Sequence, residues 1–352
     1  MDPFDPTAAS VGLQAGLIGL AGGILLGFAA RIGDFCTLGA LETAMLGRDY
    51  RRIHIWAVGL GVAILGTHVA HAAGLLDLER TFYHSIAWNP VASIAGGLIF
   101  GYGMAMAGNC GFGALLRAGG GDVRSIVIVV VLGISAFFTL SGPLGPLRAM
   151  IFPQRDQLGP SGIAHALSSV SGLPTPWIAT AIAAGLTGWG LSHPAVRRSW
   201  MTIACAAGVG LSVVWGFVGT TLISRHSFDA IFVEGPSFTA PVGRTVLYLM
   251  TSTGTGPSFS VGSVIGTLLG AFVASMWANS FRWEVCDDPR ELGRQLAGAV
   301  LMGVGGVIAI GCTIGQGLSG FATLAWSGPT TLAAIAFGSY VGLMGLVAQS
   351  NP

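Results

Sequence analysis

Three cysteines, Cys36, Cys110 and Cys312, each stand in a glycine-rich apolar stretch, and the three stretches resemble one another. Setting Cys110 on Cys312 pairs Gly96, Gly101, Gly103, Ala107 and Gly113 with Gly298, Gly303, Gly305, Ala309 and Gly315. Setting it on Cys36 pairs Gly96, Gly97, Gly101, Gly113, Ala114 and Leu115 with Gly22, Gly23, Gly27, Gly39, Ala40 and Leu41. Identity spaced this way is the mark of an internal repeat. A cysteine at the start of a short helix lies among free backbone N–H groups at the positive end of the dipole, where an anion is favoured. Its thiol adds a soft, polarizable contact and a weak S–H donor, and glycines let backbones and substrate approach closely. The combination suits a sulfur-containing anion.

The competing reading of any cysteine is a small buried hydrophobe. That reading fits Cys205, inside the apolar run MTIACAAGVG, and the RWEVCDDP context of Cys286 opposes a thiolate and leaves that residue incidental. Asn109, Thr313 and Gln316 are candidate polar liners beside Cys110 and Cys312. No CxxC or HxxxH spacing occurs, and the seven histidines avoid the motifs, so neither a metal nor a cofactor is expected. Asp34, Glu42 and Arg31 flank the first motif and are expected to pair with one another, while Arg117 marks the end of the second.

The elements that position these residues follow from composition. The chain has 352 residues, 52% hydrophobic and 9% charged, with a mean hydropathy of +0.73, against roughly 25% charged residues in soluble domains. It reads as an all-α integral membrane protein. Continuous apolar runs, rather than alternation, argue against a barrel, and the near-zero net charge gives no sign of nucleic-acid binding. Nine transmembrane helices are expected near 11–30, 53–76, 88–107, 124–142, 176–193, 199–223, 258–280, 291–311 and 330–348. Four shorter pieces, 33–47, 108–119, about 237–256 and 312–326, read as re-entrant half-helices, tolerated where protein or a cavity covers their free backbone groups. The acidic N-terminus MDPFDPTAAS is unlike a signal peptide and is expected to be retained. Trp56, Trp88, Trp177, Trp200 and Trp283, near span ends, read as an interfacial belt, and His68 and His71 as interfacial residues.

Cytoplasmic loops are rich in arginine. With the N-terminus outside, eleven arginines (31, 48, 51, 52, 117, 124, 197, 198, 282, 290 and 294) fall inside and five (80, 148, 155, 225 and 244) outside. This places the C-terminus in the cytoplasm. It also makes the chain a single membrane transport domain with a pseudo-inverted repeat: one half at about 11–142, a linker and connecting span at 143–195, and a second half at about 199–350. Such repeats place substrate sites near the midplane, between broken helices. The second-half slot matching Cys36 falls near 237–256, where SFTAPVG and TSTGTGPS offer hydroxyls in place of a thiol.

AARIGDFCTLGAL, GYGMAMAGNCGFGALLRAGGG, and FRWE followed by LMGVGGVIAIGCTIGQGLSGFATLAWSG resemble the YeeE/YedE family of bacterial inner-membrane proteins, along nearly the whole chain. The resemblance implies an hourglass of full-length and half-length helices. It implies uptake of thiosulfate or a closely related sulfur anion across the bacterial inner membrane, past three cysteines that fall on Cys36, Cys110 and Cys312. It also implies a cytoplasmic sulfur carrier of the TusA type as partner, of which no fused copy is expected here. The alternative function is a membrane thiol–disulfide or sulfur-relay enzyme using the same cysteines covalently. No ATP-binding motif accompanies them. On the first reading the thiols stay protonated, since a thiolate would repel a dianion and lose its donor hydrogen.

Overall fold

A computed structural model describes residues 6–157, 161–226, 232–284 and 289–350. Cys286 lies outside the described residues. The described fold is all helical, with only isolated β-bridges.

Six elements run in order through the first half: α1 (Pro6–Ile32), the short α2 (Thr37–Leu46), α3 (Arg51–Ala72), α4 (Pro90–Ala107), the short α5 (Gly111–Gly119) and α6 (Val123–Leu140). After two short helices, Gly145–Ile151 and Ile163–Ser171, α7 (Thr175–Ser192) crosses to the second half. The same order then recurs as α8 (Trp200–His226), short α9 (Ala240–Thr251), α10 (Phe259–Trp277), α11 (Pro289–Ile308), a single π-turn (Gly315–Gly320) and α12 (Ser327–Ser350). Among the described residues, seven segments are long and apolar enough to cross a membrane; one of them joins α1 to α2 and another α4 to α5. Helices α7 and α11 are not among them; α11 carries Arg290, Glu291 and Arg294 in its opening turns.

The two halves are interleaved. Helix α1 packs along α10 and α3 along α8; α4 packs along α12 and α6 along α11. Helices α1 and α8 are antiparallel, with Gly33 against Cys205 and Ile18 against Gly219. Helices α4 and α11 are likewise antiparallel, with Gly96 against Ala309 and Gly103 against Gly298. This is the geometry of an inverted repeat. The closest crossing is that of α1 and α10: a side-chain carbon on Gly262 would overlap the Gly16 carbonyl. Small residues matter here because association in lipid rests on van der Waals contact rather than on a hydrophobic difference.

Charged loops sort to two ends. At one, Arg52 pairs with Asp34, Arg31 donates to Ser275 Oγ at 3.0 Å, and the Arg282 N–H donates to the Gly120 carbonyl at 3.0 Å. At the other, Arg225 donates to the Gly74 carbonyl at 2.8 Å, and Arg148 and Arg244 share a cavity wall. Asp34 therefore finds Arg52 rather than Arg31, because the tight turn at Asp34, in the left-handed region at φ 53°, turns its side chain toward the start of α3. Trp88, Trp177, Trp200 and Trp283 are exposed, as a belt requires, but Trp56 is buried and stacked on Phe35 with ring centroids 4.7 Å apart. His68 is also buried, whereas His71 closes its own helix end with Nδ1 2.9 Å from the Leu76 carbonyl. Span-end position alone did not separate protein-facing from lipid-facing aromatics.

Candidate anion path

Each motif cysteine stands at or just before the start of a short helical piece, and its sulfur accepts the backbone N–H three residues on. Sγ of Cys36 accepts the Gly39 N–H at 3.5 Å, Sγ of Cys110 accepts that of Gly113 at 3.3 Å, and Sγ of Cys312 accepts that of Gly315 at 3.3 Å. Cysteine thus fills the role that Ser, Thr or Asp usually plays at a helix start. Cys36 and Cys110 hold the extended backbone a cap needs, at φ −133°, ψ 126° and φ −89°, ψ 169°. Because the sulfur is engaged as acceptor, the S–H hydrogen remains available to donate. All three thiols are free of disulfides, as is Cys205.

The capped ends meet inside the molecule. Cys36 and Cys110 share the space over Gly113: a side-chain carbon built there would lie 3.6 Å from Cys110 Sγ and 3.8 Å from Cys36 Sγ. Cys312 is buried nearby, its sulfur also accepting the Phe238 N–H at 3.3 Å, with Ser237 Oγ at 4.0 Å. Phe238 in turn packs on Phe112, ring centroids 5.0 Å apart, and both rings are fully buried. Phe112 follows Cys110 by two residues and the Phe238 N–H meets Cys312, so this contact joins the two segments. Cys36 is the only one of the three with partial exposure.

The polar candidates divide. Thr313 is fully buried with its hydroxyl turned to the Cys110 thiol, and it finds no other partner. Asn109 is buried beside Gly113, its Oδ1 unpartnered. Gln316 spends its Nε2 on the carbonyls of Ala309 and Ile310, at 3.3 and 3.0 Å, closing the frayed end of α11, while its free Oε1 faces Gly320. The slot corresponding to Cys36 is occupied by Thr239, which begins α9 without capping it and leaves its buried hydroxyl unpartnered. Unpaired hydroxyl and amide groups in a dry interior are costly and call for a partner.

A cavity of about 520 Å³ lies beside the Cys312 segment, toward one end of the molecule. It is bordered by Ser237, Thr239 and Gly311 at its floor and by Arg148, Glu234 and Arg244 on its walls. Arg244 Nη1 donates to Ser260 Oγ at 3.4 Å, and that hydroxyl donates to Glu234 Oε1 at 2.9 Å. Burial pushes the Glu234 carboxyl above its usual range, against the pull of Arg244 and the Ser260 hydroxyl. Sequence reasoning counted the arginines only as loop charge and passed over Glu234. The available signal was an acidic residue in FVEGPS leading into a glycine- and proline-broken apolar stretch. At the opposite end the Asp34–Arg52 pair stands two residues from Cys36.

Interleaved inverted halves with broken helices meeting at buried caps define a membrane transport protein. Residues 32–341 match the sulphur transport family; the chain belongs to that family. It is 25% identical over 333 residues to the thiosulfate transporter TsuA of Escherichia coli (strain K12), covering 89% of each chain. It is 28% identical over 319 residues to the thiosulfate transporter TsuA of Spirochaeta thermophila, covering 88% of this chain and 92% of that one.

Proposed function

We propose that this protein takes up thiosulfate, or a closely related sulfur anion, across the bacterial inner membrane along Cys312, Cys110 and Cys36 in that order. The observation that carries the proposal is the convergence of helix starts capped by thiols. Each Sγ accepts a backbone N–H and keeps its own hydrogen to offer. An anion moving between them exchanges one weak S–H donor for the next, without meeting a charge strong enough to hold it. Cationic side chains in the same place would bind a dianion tightly and slow its release, whereas conduction needs sites that let go.

The arginine-rich end bearing Asp34 and Arg52 is taken as cytoplasmic, so the cavity opens outward, the N-terminus lies outside and the C-terminus inside. On this reading the two six-element halves and the 143–195 connection work as one transport domain, with nine crossings once α7 and α11 are counted. A TusA-like carrier would receive the anion at the Cys36 end.

Radiolabelled thiosulfate uptake into membrane vesicles, with each cysteine changed in turn to serine, is the direct test. Loss of uptake in the Cys36, Cys110 and Cys312 variants, at unchanged protein level, supports the path; full uptake in all three removes it. Mass spectrometry on protein recovered during uptake distinguishes contact from covalent relay. Persulfide or disulfide at these residues would favour the enzyme reading instead.

A further inference from the structure

Among the described residues Glu234 is the one carboxyl on the wall of the 520 Å³ cavity, and its setting differs from that of an ordinary ion pair. Arg244 does not touch it directly. The guanidinium reaches Ser260, and Ser260 passes the hydrogen bond on to the carboxylate. The backbone of Glu234 is pinned to α8 by a pair of 3.3 Å contacts with the Thr220 hydroxyl, so the carboxyl has little freedom to leave the wall. Two cations, Arg244 and Arg148, border the same space. Arg148 Nε is buried without a partner, as is the hydroxyl of Thr239, itself 1% exposed and lining the cavity floor. These unpaired donors point to an anion as the missing occupant.

Resting on the uptake reading above, we propose that Glu234 is a proton-binding site linked to anion binding in this cavity. An anion that settles between Arg148 and Arg244 takes the Arg244 guanidinium for itself, and the Glu234 carboxylate, left without its cation, takes up a proton from solvent. The balance is simple: one anion and one proton enter the cavity, one O–H bond forms on the carboxyl, and no other bond changes. The groups facing Glu234 are Arg244 from α9, Arg148 from the 145–151 helix and the buried Tyr83 phenol from the 82–85 turn. Among the described residues, α1, α10 and α11 bring no ionisable group to this wall. Only Arg244 and Arg148 are therefore positioned to answer an arriving negative charge. A carboxylate that stayed ionised would repel a dianion at close range; protonation removes that repulsion as the dianion arrives.

The sign of the linkage is fixed by this arrangement. Anion binding raises the Glu234 pKa, so binding takes up a proton, and affinity falls as pH rises between the free and the bound pKa. Within that window the slope approaches about tenfold per pH unit.

The test is calorimetric titration of the purified full-length protein with thiosulfate and, separately, sulfate, in buffers of differing ionisation enthalpy and over a range of pH. Net proton uptake in the wild type is expected, with affinity falling as pH rises. The binding that remains in Glu234→Gln, which keeps a hydrogen bond to Ser260, is expected to take up no proton and to be flat with pH; Glu234→Asp should restore the uptake. Thiosulfate binding with no proton uptake in the wild type, or uptake that persists in Glu234→Gln, overturns the proposal while leaving the transport reading intact. Absence of binding by either anion overturns both.

Discussion

Cys36 and Cys110, 74 positions apart in the chain, border one small space over the bare backbone of Gly113. Their helices start there, each capped by its own sulfur, so the space is edged by two S–H groups and two sets of helix N–H groups. The gap exists because Gly113 has no side chain.

Gly113→Ala is accordingly expected to fold and to fail in transport. The added carbon meets Asn109 Cβ, Cys110 Sγ and Cys36 Sγ at 3.5, 3.6 and 3.8 Å, which is ordinary contact. Alanine also favours the helix by about 0.5–1 kcal/mol over glycine. Thermal unfolding should show equal or higher stability, and vesicle uptake should drop at least severalfold. Unchanged uptake would place the route elsewhere.

Serine replacements of the motif cysteines form a second test, because serine is a better cap than cysteine at a helix start. Cys110→Ser and Cys312→Ser should retain their helices while losing uptake. Cys205→Ser serves as the contrast: it buries a hydroxyl in an apolar helix contact, costing about 1–3 kcal/mol, yet uptake per folded molecule should not change. Equal uptake losses across all of these variants would mean that stability alone was being read.

Thr313 gives a prediction in which stability and activity move in opposite directions. Its buried hydroxyl has only the weakly bonding Cys110 thiol for company, and a poorly satisfied group of this kind costs about 1–3 kcal/mol. Thr313→Val should be neutral or stabilising in thermal unfolding. Uptake should fall, because the hydroxyl beside Cys110 is then lost to the passing anion. Uptake equal to wild type would make Thr313 a packing residue.

The α1–α10 crossing tests the architecture itself. Gly262→Ala forces a carbon into the Gly16 carbonyl, and overpacking of this kind costs about 1–3 kcal/mol. Both thermal stability and folded yield should decline. Gly185→Ala on α7, where a side-chain carbon meets nothing, should leave both unchanged.

Much of this fold was legible in the sequence, and for a physical reason. Apolar runs of membrane length end where glycine, proline or charge must interrupt them, so the helix starts at Pro90, Val123, Thr175 and Phe259 fall within two residues of the expected spans. The short pieces at Cys36 and Cys110 were readable because their apolar runs stop too soon to cross. Other features left no trace. The π-turn at Gly315–Gly320 differs from an α-turn by one residue in hydrogen-bond register, which composition does not record. Helices apolar on every face give no amphipathic stripe, so the burial of Trp56 and His68 could not be told from lipid exposure. Glu234 and Arg244 went unpaired in the reading because their link runs through Ser260 on a different helix.

The contact of Phe112 with Phe238 also bears on voltage. The 520 Å³ cavity ends beside the Cys312 segment, at Ser237 and Gly311, and Cys36 is partly exposed at the other end; the buried Phe112–Phe238 contact belongs to the apolar core between them. On the proposed route the potential across the membrane falls mainly over the buried stretch between the cavity and Cys36. A dianion moving toward a negative interior climbs about 2.3 kcal/mol per charge for each 100 mV.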